Sequence, residues 1–403
     1  MINRVLFLSI ITCISANVVA QSSLKFHHKA TLIDTHNDLL TAVLEDNVRI
    51  DSNLKGKTHS DLQRFKEGGV DIQIFSVWCD GTYGTGKRFA RANREIDSLY
   101  AVVNRNPGKM MIVRTPADLK QAVRQKKLGA MIGVQGGHMI EDNLQYLDSL
   151  YNRGVRYRTL TWNNSTSWAT SAMDESSTRP DTLQRKKGLS EFGKQVVQRM
   201  NQLGMIVDVS HVGEQTFWDA IRISTKPVIA SHSCAHALCP VFRNLKDDQI
   251  RAIAANKGVV HLNFFSGFVD SNFFKKNTAF IERHKAERNS LLKINPEPYF
   301  ADSKLFYKYA DEVRDLRPPL SALLDHLDYI VKLVGVDHVG LGSDFDGVNS
   351  TPQQLDDVTS FPLITDELLK RGYTKKEVKK ILGEILYAYL QLIVNNKHII
   401  ARP

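Results

Sequence analysis

The sequence lacks the features that mark several protein classes. It holds four cysteines in 403 residues and no C-x-x-C pair, which excludes a disulfide framework. It has no tandem repeat or low-complexity tract, which excludes repeat architectures, and no Gly-rich phosphate loop. Beyond the first twenty residues no stretch is apolar enough to span a bilayer, so no transmembrane segment is expected in the mature chain.

Positive charge is present only as a modest excess. The formal net charge is +10, and basic runs such as RQKK, QRKK and KKEVKK are scattered along the chain without interleaved aromatic residues. This distribution indicates a solvated surface rather than a nucleic-acid-binding face, so we expect no nucleic-acid partner. With 42% hydrophobic and 24% charged residues, the composition is that of an ordinary globular protein.

Residues 1–20, MINRVLFLSIITCISANVVA, predict a cleaved secretory signal. They combine one basic residue, an apolar core too short for a comfortable membrane span, and a small-x-small ending at Ala20. A retained anchor is the alternative, and Cys13 suggests a lipoprotein, but the residues before Cys13 fit a lipobox poorly. We therefore expect cleavage and a secreted protein, which is periplasmic in a Gram-negative host.

Cleavage would leave Cys79, Cys234 and Cys239 in the mature chain. Three cysteines in a chain of this length do not form a disulfide framework. In an oxidising compartment Cys234 and Cys239 would be able to form one disulfide, and two buried thiols are the alternative.

Apolar, β-branched runs alternate with helix-like segments along the chain. Four of the helix-like segments (87–105, 189–204, 213–224 and 319–335) have apolar residues three and four apart, and Ser190 or Asp247 are candidate caps. The eight runs are TLID (31–34), VDIQIFSVW (70–78), GAMIGV (129–134), RTLTW (158–162), MIVDVS (205–210), PVIASH (227–232), GVVHLNFF (258–265) and HVGLGSD (338–344).

Eight strands alternating with helices predict an α/β fold of the (β/α)₈ TIM-barrel type. An open doubly wound sheet is the alternative, and the missing phosphate loop disfavours it. We expect one barrel domain over 25–403. Within it, residues 269–319 are charged, aromatic-rich and strand-free, which predicts a helical insertion after the seventh strand. That insertion is expected at the catalytic mouth, as a lid, a substrate wall or a structural flap.

Polar side chains follow several of the predicted strands. His36 and Asp38 lie at the end of the first strand, His211 follows the fifth, and His232 follows the sixth. Asp344 and Asp346 follow the eighth. A single strand histidine is usually hydrogen-bonded core, but these donors would all collect at the carboxyl end of one barrel. Imidazole and carboxylate without thiolate suit Zn²⁺ first, with Mn²⁺ or Co²⁺ as alternatives, and two metals would explain the number of ligands.

The remaining histidines are weaker candidates. His138, directly after a Gly pair, is expected to orient a metal ligand. His326 lies in a predicted helix and is expected to pack or to support the site. His236, His261 and His338 are expected to be structural.

These strand ends resemble those of the membrane (renal-type) dipeptidases, zinc peptidases on a (β/α)₈ barrel. The likeness covers nearly the whole mature chain, from about residue 31 to about residue 389. The stretches that carry it are H-x-D at His36 and Asp38, DLQRFKEGGVDIQIFSVW, GVQGGH, RGVRYRTLTW, DVSH, SHS followed by RN, and GSDFDG.

The resemblance implies a binuclear zinc site in which a metal-activated hydroxide attacks a small dipeptide. In that interpretation His36 and Asp38 hold one metal, and His211 and His232 hold the other. The resemblance also implies that Arg243 binds the carboxylate of the substrate and that Asp344 binds its amino group and handles the proton. It further implies a homodimer.

From the residues alone, two of these roles have simpler alternatives. Arg243 is otherwise an exposed salt-bridge partner of Asp247 or Asp248. Asp344 is otherwise a turn residue before Gly347.

The chain departs from the family at two positions. Gln135 occupies the catalytic position of the glutamate that bridges the two metals, and its neutral amide cannot balance two dications. One metal is therefore expected to bind weakly or not at all, unless Glu141 or Asp142 reaches in. Trp162 occupies the position of a substrate-binding histidine, and its indole N–H would be only a weaker, donor-only substitute. The alternative is that Trp162 forms a wall that selects an apolar or D-configured side chain.

Three functional hypotheses remain from the sequence. The first is an exported zinc dipeptidase with reduced activity. The second is a catalytically impaired member that binds peptide or metal without efficient hydrolysis. The third is a related barrel hydrolase acting on another small amide or lactone.

Overall fold

The computed structural model describes residues 21–179, 186–295 and 298–395, so the predicted signal at 1–20 lies outside the described residues. Within the described ranges, nine parallel strands form one sheet. They are β1 (Leu32–Asn37), β2 (Val70–Val77), β3 (Met110–Ile112), β4 (Leu128–Val134), β5 (Val155–Thr159), β6 (Ile206–Asp208), β7 (Val228–Ala230), β8 (Val259–Leu262) and β9 (Val339–Leu341).

Eight of these strands close into a barrel. The order runs β2-β1-β9-β8-β7-β6-β5-β4, and β4 pairs back with β2 from Ile72↔Gly129 to Val77↔Val134. The predicted (β/α)₈ barrel is therefore confirmed. Because all strands are parallel, their carboxyl ends meet at one mouth.

The ninth strand, β3, was not predicted. It pairs with the amino-terminal half of β4 (Met110↔Leu128), whereas β5 pairs with the carboxyl-terminal half (Val134↔Arg158). It therefore fills a gap beside the barrel and does not belong to the closed ring. A three-residue run is too short to show strand periodicity in a sequence.

One predicted strand was misplaced. The run at 158–162 was expected to end at Trp162, but β5 ends at Thr159. Leu160 still donates its N–H to Asp208 O, at 3.3 Å, and the chain then enters a loop held by local bonds such as Ser165 N–H to Asp174 Oδ2 at 2.7 Å. Trp162 therefore lies in the loop after the strand.

Helices lie between the strands and around the barrel. Ser190 caps its helix as predicted, and its side chain accepts from Gly193 N–H at 3.3 Å. The prediction that Asp247 is a cap is wrong, because that helix begins at Asp247 itself and its cap position is Lys246. Outside the inserted segment, the α-helices are Leu39–Glu45, Leu62–Glu67, Arg88–Arg105, Pro116–Gln125, Leu144–Asn152, Ala172–Ser176, Glu191–Leu203, Glu214–Ile223, Asp247–Ala255, Ser266–Val269, Leu320–Val334, Phe361–Lys370, Lys375–Lys379 and Ile385–Asn395.

The predicted insertion after the seventh barrel strand is confirmed as helical. Tyr299 Oη donates to Val348 O at 3.4 Å, and Arg317 Nε donates to Thr351 O at 2.6 Å, which joins the segment to the loop after β9. Its helices are Phe273–Arg283, Lys285–Ile294, Pro298–Lys308 and Ala310–Leu316, and its own small core contains Phe273, Phe280, Leu305, Phe306, Val313 and Leu316.

The last helix closes the barrel. A π-helical turn over Lys380–Glu384 interrupts the predicted continuous helix. Beyond this turn, Leu386 and Tyr389 pack in one cluster with strand residues such as Ile33 and Ile74.

Two further predictions concern a disulfide and membrane-spanning helices. Cys79, Cys234 and Cys239 are buried free thiols, so the alternative without a disulfide holds. No helix among the described residues combines the length and the apolar character that crossing a membrane requires.

Candidate metal and substrate site

Four strand ends bring together a strand-end cluster: His36, Asp38, His211, His232 and Asp344. Ligand atoms of His36, His232 and Asp344 all lie within 4.8 Å of one another. His36 Nε2 is 3.3 Å from Asp38 Oδ2, and His211 Nε2 is 2.9 Å from His232 Nε2. All five side chains are buried, so the mouth of the barrel holds the donors in contact range.

The backbone at this mouth is strained where it presents the ligands. His211 and Asp344 have φ values of 63° and 61°, in the left-handed region that non-glycine residues rarely adopt. Gly347 permits the close approach of the loop after β9, because a Cβ there would lie 2.2 Å from Asp38 Oδ2. Strain of this kind persists where the surrounding structure requires a particular side-chain direction.

The hydrogen bonds of His36 and His211 assign their protons. Tyr157 Oη donates to Thr35 O at 3.1 Å, so at 2.7 Å from His36 Nδ1 it accepts the Nδ1 proton. Asn163 Oδ1, an acceptor, lies 2.9 Å from His211 Nδ1. Both rings therefore carry the proton on Nδ1 and a lone pair on Nε2.

His232 has the same arrangement. Ser231 Oγ lies 2.7 Å from His232 Nδ1 and gives its only proton to Asp208 Oδ2, also at 2.7 Å. His232 Nδ1 is then the donor to Ser231. The close contact between His211 Nε2 and His232 Nε2 thus joins two lone pairs, which a cation between or beside them would stabilise.

The charge states agree with this assignment. Burial holds the pKa of His211 and His232 well below the ordinary value, so both are neutral, the form that binds metal. Burial also acts to lower the pKa of His36, but Asp38 and Asp344 outweigh it and raise that pKa. The raised pKa means that His36 Nε2, unlike the other two Nε2 atoms, favours a positive charge beside Asp38, which a proton supplies or a metal ion would supply in its place.

The residues present fit a metal ion. His36 Nε2, Asp38 Oδ1 and Gln135 Oε1 are buried without a hydrogen-bond partner, which is costly unless another group completes them. The donor set is imidazole and carboxylate without thiolate, which suits Zn²⁺ and allows Mn²⁺ or Co²⁺. Gln135 directly follows β4, so its side chain belongs to the same mouth.

Arg243 is buried, not exposed. Its guanidinium donates to His232 O at 3.1 Å and to Ser233 Oγ at 3.5 Å, and it lies 5.1 Å from the ring centre of Phe268. Among the described residues no carboxylate comes within salt-bridge distance of it, and its Nε has no partner. The alternative of an exposed salt-bridge partner of Asp247 or Asp248 is wrong, because Arg243 is buried and neither carboxylate lies within ion-pair distance of it.

Asp344 serves both the turn and the site. Its carbonyl accepts from Gly347 N–H at 3.1 Å, as the turn alternative expected. Its carboxylate accepts from Asn263 Nδ2 at 2.7 Å and approaches His36 Nε2 at 3.9 Å. Asp346 does not join the strand-end cluster, because it accepts from His59 N–H at 2.5 Å and from Ser60 Oγ.

Trp162 lies beside the cluster. Its ring centre is 4.9 Å from that of Trp78, edge to face, and 6.5 Å from that of His211. It lines a cavity of about 680 Å³ together with His138 and Asn163. Trp162 therefore lies next to His211 and also lines this cavity, which no residue of the strand-end cluster lines.

The suggested replacement acids do not reach the cluster. Glu141 accepts from Gly86 N–H and Arg88 N–H at 2.8 and 3.0 Å, and Asp142 accepts from Ser167 Oγ at 2.8 Å. Both carboxylates are already bonded elsewhere, so neither acid takes the place of Gln135 in the cluster. His138 contacts Cys79 O at 2.9 Å and makes no hydrogen bond to a residue of the strand-end cluster.

The sequence did not indicate the groups that orient the ligands. They are Tyr157, Asn163, Asp208, Ser231 and Asn263. Asp208, Ser231 and Asn263 lie inside apolar runs that the sequence showed as strands, whereas Tyr157 directly precedes the run 158–162 and Asn163 directly follows it. A polar residue inside such a run was the available signal, but its partner lies on another strand.

Comparisons with known proteins agree with this geometry. The model of the family described as membrane dipeptidase (peptidase family M19) matches residues 21–391. The crystal structure of the dipeptidase AC, a metallopeptidase of family M19, is 25% identical, with a TM-score of 0.72 over 90% of this chain and 98% of that chain.

Two further structures share the fold. A metallopeptidase from Rhodobacter sphaeroides, liganded with a phosphinate mimic of the dipeptide L-Ala-D-Ala, is 23% identical, with a TM-score of 0.72 over 90% of this chain and 99% of that chain. The probable dipeptidase PvdM from Pseudomonas aeruginosa is 24% identical, with a TM-score of 0.76 over 94% and 99%.

Proposed function

This chain belongs to the membrane dipeptidase family and is a metallo-dipeptidase, and on that premise we propose that it is an exported, zinc-dependent enzyme that hydrolyses small dipeptides. The observation that carries the proposal is the convergence of three Nε2 atoms, from His36, His211 and His232, beside a buried Arg243 without a carboxylate partner. The histidines suit a metal, and the guanidinium suits the free carboxylate of a short peptide.

Each metal-binding role belongs to a pair of side chains. His36 and Asp38 would hold one ion, and His211 and His232 would hold the second, with Gln135 at the bridging position. Zn²⁺ bound there would activate water and polarise the scissile carbonyl. The Nδ1 partners of the histidines keep the Nε2 lone pairs directed inward.

The two ends of the substrate would be held by Arg243 and Asp344. The guanidinium would bind both oxygens of the C-terminal carboxylate. Asn263 already occupies one Asp344 oxygen, and the other would bind the free amino group. A longer peptide would leave one of these buried charges unpaired, which costs binding energy.

Trp162 would contribute to side-chain selection. With Trp78 it forms an aromatic wall beside the cavity of about 680 Å³, and its N–H is a donor only. We propose that dipeptides with a C-terminal D-residue are among the substrates. The relative from Rhodobacter sphaeroides was solved with a mimic of L-Ala-D-Ala, which makes that dipeptide the first to test.

Gln135 favours a second candidate function. Its Oε1 is buried without a partner, and a neutral amide supplies no charge between two cations. We propose one tight and one weak metal site, with reduced turnover. The alternative is a protein that binds peptide or metal without efficient hydrolysis.

The test is hydrolysis of an L-L and L-D dipeptide panel by the chain from residue 21 onward, across a zinc titration, with Gln135→Glu in parallel. Zinc-dependent cleavage by the natural protein supports the enzyme. Cleavage by Gln135→Glu alone supports the binding alternative. Failure of both proteins to bind zinc would reject the proposal.

Export and assembly are separate proposals. Residues 1–20 would be removed as a signal, which intact-mass analysis of exported protein tests. The mature barrel domain, 25–403 with residues 269–319 inserted, would form a homodimer. Light scattering of the purified chain tests this, because a monomeric mass would reject the dimer.

A further inference from the structure

We infer that Asp208 is a positioning residue of the metal centre: through Ser231 it holds His232 in the metal-binding tautomer and supplies negative charge that Gln135 does not. The inference rests on the proposed function, because it presupposes that the strand-end cluster binds zinc. It concerns a residue outside that cluster.

Asp208 is a buried anion with an unusually complete set of donors. Its carboxylate accepts from Ser210 N–H at 3.0 Å, Ser231 N–H at 2.8 Å, Ser231 Oγ at 2.7 Å and Thr159 Oγ1 at 2.5 Å. The side chain is fully buried, and no ion pair joins it to a cation among the described residues. A buried charge without a countercharge is destabilising unless it is compensated elsewhere.

The path from Asp208 to the metal-binding atom is continuous and has one direction. Asp208 can only accept, so Ser231 gives it the hydroxyl proton and must accept from His232 Nδ1. His232 then presents Nε2, 2.9 Å from His211 Nε2. A carboxylate behind a histidine in this way fixes the ring and makes it a stronger ligand.

The charge balance gives Asp208 a role particular to this chain. At position 135 a glutamate would add a negative charge between the ions, and Gln135 adds none. Asp208 lies behind the His211 and His232 pair, which has no carboxylate ligand of its own in the proposed assignment. Removing its charge should therefore cost more with Gln135 than with a glutamate at that position.

Asp34 is a matched control. It is also a fully buried carboxylate and accepts from Ser343 N–H at 2.8 Å and Ser343 Oγ at 2.6 Å. Asp34 meets the cluster only through the backbone of His36, whose N–H lies 3.5 Å from Asp34 Oδ1 and whose carbonyl accepts from Ser343 Oγ at 3.3 Å. Unlike Ser231, Ser343 makes no described hydrogen bond to a histidine ring. Asp34→Asn removes a similar buried carboxylate without breaking a link to His232.

The experiment is zinc affinity, measured by competition with a chromophoric chelator. Five proteins are compared: the natural chain, the single variants Asp208→Asn, Asp34→Asn and Gln135→Glu, and the double variant that combines Gln135→Glu with Asp208→Asn. We expect Asp208→Asn to weaken zinc binding about 10–100-fold and Asp34→Asn to weaken it less than about threefold. In the Gln135→Glu background the loss caused by Asp208→Asn should shrink, as a double-mutant cycle reports.

The outcomes separate the inference from the proposed function. If the natural chain binds no zinc, the proposed function fails and the inference with it. If it binds zinc but Asp208→Asn matches Asp34→Asn, or loses the same factor in both backgrounds, the inference alone is overturned. If Asp208→Asn does not unfold cooperatively in chelator, Ser231→Ala replaces it, because it breaks the link to His232 Nδ1 while keeping the Asp208 charge. A loss of zinc affinity larger than that of Asp34→Asn is then expected, and an equal loss overturns the positioning role.

Discussion

Two groups of buried histidines in this molecule differ in how their second ring nitrogen is used. In His326, Nδ1 accepts from Ala235 N–H and Nε2 donates to Val269 O, both at 3.1 Å. His27 likewise contacts Thr365 Oγ1 at 2.7 Å and Gly68 O at 2.9 Å. In His36, His211 and His232, Nδ1 has a protein partner and Nε2 points into the strand-end cluster.

The difference shows what distinguishes a structural histidine from a candidate ligand. A ring with both nitrogens bonded to the protein connects two segments and has nothing left to offer an ion. A ring with Nδ1 fixed and Nε2 free is oriented as a ligand. Burial is the same in both groups, so burial alone does not separate them.

The strongest test exchanges one residue from each group for alanine. His232→Ala should lose the zinc ion of the His211 and His232 pair and all measurable turnover, because it removes one of the two donors of that pair. His326→Ala should keep zinc and turnover but lose about 1–3 kcal/mol of unfolding free energy through its unpaired partners. Metal content, dipeptide hydrolysis and urea unfolding measure this. Retained zinc and turnover in His232→Ala would break the comparison.

Arg243 extends the comparison to a cation without a buried partner. Arg243→Ala should reduce kcat/KM for a dipeptide on the order of 100-fold, because the carboxylate loses a bidentate ion pair. Arg243→Lys keeps the positive charge but loses the two-pronged guanidinium, so its kcat/KM should lie between those of the natural chain and Arg243→Ala. Steady-state kinetics decide, with zinc content as control. Equal kcat/KM in all three proteins would remove Arg243 from the site.

Gln135→Glu tests the comparison by placing a charged group at the end of β4, at the same mouth of the barrel as the free Nε2 atoms. We expect bound zinc to rise towards two equivalents and turnover to rise about tenfold or more, since one well-placed charge contributes on that scale. Metal analysis after dialysis and dipeptide hydrolysis measure both. Unchanged zinc content would show that residue 135 does not bridge the ions.

Trp162→His should have a smaller effect. It replaces a donor-only indole with a ring that can donate at the scissile carbonyl, so turnover of small dipeptides should rise about threefold to tenfold. The preference between L-L and L-D substrates should change as well, because the aromatic wall is lost. Side-by-side kinetics on Ala-Ala pairs test this, and an unchanged preference would remove Trp162 from substrate selection.

Acid stability tests the structural group. Burial lowers the pKa of His27 to about 4, so the folded chain binds fewer protons than the unfolded chain between about pH 4 and 6.5. This contribution to stability is complete above pH 6.5 and is lost as the pH falls through the window, by about 2 kcal/mol at pH 5. Urea unfolding in chelator should show a weaker pH dependence for His27→Gln than for the natural chain, and an equal dependence would contradict it.

Part of the fold and site was predictable because it follows local rules. Seven of the eight predicted runs overlap the barrel strands closely, and RTLTW overlaps β5 only at 158–159. The error at Trp162 arose because apolar character continues beyond the last ladder bond. β3 was missed because three residues give no periodicity.

Other features depended on residues far apart in the chain. The residues around Arg243 left an exposed ion pair open as an alternative, and only the resemblance indicated a binding role, whereas tertiary packing buries the side chain over Phe268. Glu141 was a weakly supported alternative to Gln135 in the sequence, and its carboxylate instead caps the helix that begins at Arg88. The spacing of Cys234 and Cys239 left both a disulfide and two buried thiols open, and the structure shows two free, buried thiols.

The sequence by itself determined the alternation of strands and helices, the polar residue types at the strand ends, and the family likeness, because each is written in neighbouring residues. Only the tertiary structure decided which nitrogen of each histidine is free. That depends on hydrogen bonds between strands: Tyr157 is 121 positions from His36, and Ser231 is 23 from Asp208. Barrel closure brings such residues into contact, and no local pattern records it.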